Sequence, residues 1–269
     1  MWVQWVQWDQ PLMGIFATCA YSLFTLMTLL WLLSLKIKNV SIIDAFWGMG
    51  FVVCTGCAYW EIFAQTDIPL HTAHIQMVAC VVLWGSRLSW HLSRRAWVES
   101  KEDFRYAAMR SKDPSGFPWK SLVTVFYLQA ILVLIISLPI ILRLAHPTNY
   151  TCWDGIGGSL WFIGFWLEWE ADRSLRRAKS EGVKLATTGV WSWSRHPNYL
   201  GNALLWWGIA LMGLSVSGGL LGLFSAYLMT FLLTKVSGVP LLEAKMKKRP
   251  GWGEYASRTP VFWPWSKPH

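Results

Sequence analysis

The chain has 269 residues, of which 54% are hydrophobic and only 14% charged, with a mean hydropathy of +0.33 and a formal net charge of +9. That is too little charge to solvate a soluble domain of this length, and apolar runs long enough to cross a hydrocarbon layer recur along the whole chain. The basic excess lies between those runs, which points to a membrane surface or a polyanionic small molecule and away from nucleic acid.

The opening ten residues carry Trp2, Trp5 and Trp8 but no Lys or Arg, and read as an interfacial segment leading into a first span. Seven stretches qualify as transmembrane helices: 13–35, 41–64, 73–92, 121–144, 153–169, 199–214 and 218–234. The last two are short enough to form a helical hairpin that only just reaches the far face. The segments between spans alternate in charge. Lys36 and Lys38 follow the first span, and Arg94, Arg95, Lys101, Arg105 and Arg110 follow the third. Arg173, Arg176, Arg177 and Lys179 follow the fifth, and Lys245, Lys247, Lys248 and Arg249 the seventh. The connections at 65–72, 145–152 and 215–217 have no Lys or Arg. By the positive-inside rule the N-terminus is outside and the C-terminus cytoplasmic. The predicted fold is therefore an all-α, multi-pass helix bundle forming one membrane domain over 1–269. Its cytoplasmic loops are 94–120 and 170–198, and its cytoplasmic tail is 235–269. Cys54 and Cys57 have the spacing of a redox or metal pair but sit mid-span without a second pair or a histidine, so they read as packing, and no metal site is expected.

The densest polar constellation runs from Gly189 to Asn202. Pro197 suits the first turn of a helix, and the free N–H groups of that turn favour an anion. Arg195 and His196 precede them and can bind phosphate or carboxylate. Asn198 and Asn202, spaced i, i+4, place two amides on one face of an apolar span, where polar groups are usually functional; the alternative is an interfacial anchor of Arg, His and Trp. Asp172 and Arg176 share the same spacing on a helix leaving the membrane, either as a solvated ion pair or as part of a phosphate site with Lys179. Glu102, Asp103, Arg105, Tyr106 and Arg110 interleave acids with bases. They read either as a salt-bridged surface helix, with Glu102 and Tyr106 on one face, or as a site in which Tyr106 donates a proton and the acids hold ribose hydroxyls. Asp44 and Arg87 are charges at or near membrane depth and a plausible pair, although Asp44 could simply cap its helix.

Gly189–Gly201, with its Gly-Val-Trp start and Arg-His-Pro-Asn-Tyr-Leu-Gly end, resembles the C-terminal signature of the steroid 5α-reductase and sterol-reductase membrane families. The tail Leu242-Glu243…Tyr255…Arg258-Thr259-Pro260…Pro264 is similar to the same superfamily, so that the reductase-like region covers about 120–265. The run from Glu102 to Arg110 and Asp44…Trp47-Gly48 resemble a bacterial branch of it, which implies an inner-membrane location. The resemblance implies reduction of an activated C=C bond in a lipid-like substrate, with NADPH as the hydride donor. The resemblance implies that Asp172, Arg176, Lys179, Arg195, His196, Asn198, Tyr199, Tyr255 and Arg258 hold the cofactor; the residues themselves add Glu102, Asp103, Arg105 and Asn202 as candidate cofactor contacts and Asp44, Tyr106 and Arg87 as candidate catalytic groups. Two positions depart from the steroid reductases. Trp84 stands where they place a tyrosine and Asn202 where they place a glutamate, and an indole N–H cannot protonate a carbonyl, which argues against a 3-ketosteroid. The isoprenylcysteine and phospholipid methyltransferases share the Arg-His-Pro-x-Tyr part, so an S-adenosylmethionine-dependent lipid methyltransferase is the alternative. No protein partner is implied.

Overall fold

A computed structural model describes residues 10–64, 71–99, 101–146 and 148–265; the opening Trp2, Trp5 and Trp8 and most of the connection at 65–72 lie outside them. The described residues are helical and contain no strand. Among the described residues, four helical stretches are long and apolar enough to cross a membrane: Leu12–Ile37, Ile42–Ile62, Phe117–Ile136 and Leu221–Met246. The chain forms two compact units, Met1–Tyr150 with Ser215–Gly219, and Thr151–Leu214 with Leu220–His269.

The first unit contains α1 (Gln10–Ile37), α2 (Ile42–Tyr59), α3 (Thr72–Glu99), α4 (Phe104–Lys112), α5 (Phe117–Ser121), α6 (Leu128–Ile136) and α7 (Leu138–Ala145). A wider π-helical turn extends α2 over Trp60–Ala64, and another joins α5 to α6 over Leu122–Tyr127. The apolar faces of α1, α2, α3 and α6 meet in a core that buries Leu23, Met27, Phe51, Trp84 and Val133. Helices α2 and α3 approach closely because both are glycine where they cross: a Cβ on Gly48 would lie 2.5 Å from the Gly85 carbonyl oxygen. The continuous span predicted over 121–144 is broken at Ser137. Pro139 has no N–H to give and its ring crowds the carbonyl four residues back, so the ladder restarts with the Ser137 carbonyl accepting from Ile140 and Ile141, both at 3.0 Å. Much of the predicted loop 94–120 is also helical, since α3 runs on to Glu99 and α4 and α5 follow.

The second unit contains α8 (Cys152–Ser180), α9 (Pro197–Gly213), α10 (Leu221–Phe231), α11 (Val239–Met246) and α12 (Trp252–Arg258). Asp154 closes the start of α8, accepting from the backbone N–H and the hydroxyl of Thr151 at 2.8 Å each. The helix then runs 29 residues, carrying the predicted fifth span well into the predicted loop 170–198. Pro197 opens α9 as expected. At 17 residues, α9 is about 25 Å long, short of a hydrocarbon layer of about 30 Å. Helices α8 and α9 meet along glycines: a Cβ on Gly164 would lie 2.5 Å from the Gly201 carbonyl, and one on Gly208 2.5 Å from that of Gly157. Leu167, Ala171, Val190, Trp191, Leu200 and Phe262 form a small core beside this seam.

Candidate functional site

In the first unit, Asp103 caps α4, its carboxylate accepting from the Arg105 N–H at 3.0 Å. The cap also holds the Arg105 Nε at 2.8 Å and so aims the guanidinium at Asp44, whose Oδ2 is 2.6 Å from Nη2. The Tyr106 hydroxyl donates to the other Asp44 oxygen at 2.8 Å. Both oxygens of Asp44 are thus engaged from α4, where the sequence had suggested Arg87 as its partner. Arg87 itself is half-buried on α3. Glu102 does not share a helical face with Tyr106, because it lies outside α4, before the cap. There it receives Arg110 through Nε and Nη2, at 2.9 and 2.8 Å, and the Val40 N–H at 2.9 Å. Ser41 accepts the Asp103 N–H at 2.6 Å. Together these bonds fasten α4 to the α1–α2 turn.

Electrostatics follow from this geometry. Burial acts to raise the Glu102 and Asp103 carboxyls, but the hydrogen bonds from Arg110 and Val40 to the first, and from Arg105 to the second, outweigh it and hold both below their ordinary values. Burial, then the Asp44 charge, push the Tyr106 phenol far upward, so it remains a protonated donor throughout the physiological range.

In the second unit, the loop before α9 is tied inward. Arg195 is 2% exposed and His196 1%. Glu243 on α11 faces both, with Oε1 3.1 Å from Arg195 Nε and 3.0 Å from His196 Nε2. Arg195 Nη1 also donates to the Ala256 carbonyl at 3.0 Å, and its guanidinium lies 5.4 Å from the Trp252 ring centre. The backbone joins in, Arg195 N–H donating to the Pro260 carbonyl at 2.9 Å. The carboxylate that the sequence suggested for this pair is therefore the chain's own. His196 stacks on Tyr199, ring centres 5.8 Å apart. Tyr255, 1% exposed, donates to the Trp191 carbonyl at 2.7 Å, and burial raises its phenol. Arg258 makes an exposed i, i+4 pair with Glu254 at 3.2 Å.

A separate polar group lies in the α8–α9 seam. Asn202 is 8% exposed and donates through Nδ2 to Glu168 Oε2 at 3.3 Å; Glu168 is 3% exposed. The Oδ1 atoms of Asn198 and Asn202, one helical turn apart, are both buried without a hydrogen-bond partner. An acceptor left dry in this way costs about 1–3 kcal/mol unless a donor reaches it. One turn beyond Glu168, Asp172 is also buried, whereas Arg176 and Lys179 are exposed at the end of the helix. Glu168 was missed in the sequence, although a carboxylate inside the apolar run 153–169, beyond the Asp154 that caps its start, is itself a signal.

Comparison with known proteins matches residues 30–259 to a family described as a protein of unknown function, DUF1295. The chain belongs to the DUF1295 family. The match takes in α4 and both polar groups of the second unit. This DUF1295 chain is also 24% identical over 260 residues to an uncharacterized protein of Schizosaccharomyces pombe (strain 972 / ATCC 24843), covering 86% of this chain and 74% of that one. No solved structure matches it.

Proposed function

We propose that this DUF1295 chain is a membrane-embedded reductase that uses NADPH to saturate a conjugated C=C bond in a lipid-like substrate. We also infer the finer topology: seven spans in a bacterial inner membrane, N-terminus outside, with the basic segments on the cytoplasmic face. The observation that carries the reading is the pair of dry acceptors, Asn198 Oδ1 and Asn202 Oδ1, one helical turn apart on α9, the second amide bonded to the buried Glu168 carboxylate in the α8–α9 seam. Acceptors so placed suit the N–H and O–H donors of a carboxamide and a ribose. Arg176 and Lys179 stand exposed at the end of α8 to meet phosphate oxygens. Arg195 and His196, already engaged by Glu243, serve this site by holding the loop that leads into α9. When bound, NADPH supplies the hydride.

The test is cofactor binding by the purified protein in detergent. NADPH should bind more tightly than NADH by about 1.5–3 kcal/mol, the worth of charge-assisted bonds to the extra phosphate. Asn198→Leu should abolish retention while leaving insertion and folding intact. Equal affinity for the two nucleotides would remove the NADPH reading, and binding of S-adenosylmethionine alone would replace the reductase with the methyltransferase.

A further inference from the structure

The first unit contains a crevice that none of the residues proposed for catalysis lines. It measures about 210 Å³ and is walled by Ser34, Leu35, Lys38, Val40, Arg110 and Pro118. It lies where two spans end, α1 at Ile37 and the span that starts at Phe117. Its volume is below the roughly 300–1,000 Å³ of pockets that enclose a drug-sized ligand, so it suits a headgroup and not a whole cofactor.

Two cations meet there, each held in an informative way. Lys38 has φ +54° and is the only non-glycine residue with positive φ among those described. It follows the last residue of α1, and the Asn39 N–H returns to the Ser34 carbonyl at 3.2 Å, closing the helix as a Schellman turn. That position strongly favours glycine, because a Cβ crowds the backbone in the left-handed region. A lysine there accepts strain, and what it adds over glycine is a long cationic arm. Arg110 is positioned by its two bonds to Glu102 and lies 4.8 Å from the Phe117 ring centre, which leaves Nη1 unengaged. The surroundings are those of a lipid surface: Leu32, Leu33, Ile37 and Trp119 are all exposed, the last at 69%.

We propose that this crevice binds a phosphate ester anion, the headgroup phosphate of an anionic phospholipid, between Lys38 and Arg110. Apolar walls beside two cations at the end of two spans match the phosphate and upper acyl chain of such a lipid.

The experiment is native mass spectrometry of the full chain released from nanodiscs of mixed phosphatidylglycerol and phosphatidylcholine. The wild type is expected to retain one phosphatidylglycerol. Lys38→Gly should lower that occupancy about tenfold, the loss of a charge-assisted contact, while its melting temperature stays level or rises because glycine relieves the left-handed strain. Arg110→Gln should lower occupancy as well. Lys36→Gln removes the same charge from the last turn of α1 but not from the crevice, and should leave retention unchanged. Titration with inorganic phosphate and glycerol 3-phosphate separates the sources. Failure to displace the lipid assigns the site to the membrane, and displacement assigns it to a soluble phosphate ester. Wild-type retention by Lys38→Gly, or an equal loss in Lys36→Gln, overturns the proposal, since the attraction would then be diffuse surface charge.

Discussion

Gly201→Ala is the sharpest test of how α8 and α9 are packed. The new methyl would lie 2.5 Å from the Glu168 N, 2.6 Å from the Gly164 carbonyl oxygen and 3.0 Å from the Glu168 Cα. All three are backbone atoms, so no side chain can swing aside and the helices themselves must part. Overpacking a tight core costs about 1–3 kcal/mol, and a backbone-to-backbone clash belongs at the upper end, about 3 kcal/mol. Alanine recovers up to about 1 kcal/mol through its better helix propensity, leaving a net loss of about 2 kcal/mol. For a chain of this size that lowers the melting temperature by about 4–8 °C. Gly56→Ala on α2 is the control: its Cβ would meet nothing within 4 Å, so it should leave stability level or raise it by up to about 1 kcal/mol. Tryptophan fluorescence during thermal unfolding in one detergent reads both variants. A Gly201→Ala protein as stable as the Gly56→Ala control would refute the close approach.

Glu243→Ala should destabilise the second unit by about 3–5 kcal/mol, because it strips the facing carboxylate from an arginine whose side chain is 3% exposed; denaturant titration of the intact chain measures it. Asp44→Ala should loosen α4 by about 2 kcal/mol and Tyr106→Phe by about 1 kcal/mol, seen as faster backbone amide exchange over Phe104–Lys112. The same exchange should depend on pH. Glu102 and Asp103 are held below their ordinary values of 4.5 and 3.8, so their contribution is fully present above about pH 4.5 and is shed as the pH falls through and below 4. Exchange protection of α4 that is unchanged from pH 6 down to pH 3 would contradict this origin.

What the sequence made legible was local. The apolar runs foretold the positions of the long helices, and Pro197 foretold the start of α9, because one residue's missing N–H sets a helix boundary wherever it occurs. Among the described residues, four stretches meet the requirements of a span on length and apolarity; α9 is short, and α3 is diluted by His74, Gln76, Arg87 and His91. Partnerships were not legible. Asp44 is reached by residues 61 and 62 positions away, and His196 by a carboxylate 47 positions downstream. Charge patterning along a chain names the donors and acceptors, but only the folded path decides which of them meet. Arg87 was matched to Asp44 on depth in the membrane, a weaker guide than the rigid α4 cap that delivers Arg105. The α8–α9 seam was half legible: the spacing of Asn198 and Asn202 was visible, while Glu168 opposite them required knowing that Gly164 and Gly201 bring the helices together.

The fastening of Arg195 also orders events on the ribosome. The chain is made from its N-terminus, and the Ala256 carbonyl that receives this guanidinium is synthesised 61 residues later. Helices α8 and α9 can pair as soon as both have emerged, but the cation at the head of α9 keeps its water until α11 delivers Glu243 and α12 follows. The stretch that carries α11 and α12 is therefore the latch of the second unit. A nascent chain stalled anywhere short of it leaves a hydrated arginine beside a small core that still lacks Val239 and Phe262, the kind of surface by which chaperones and membrane proteases recognise unfinished proteins.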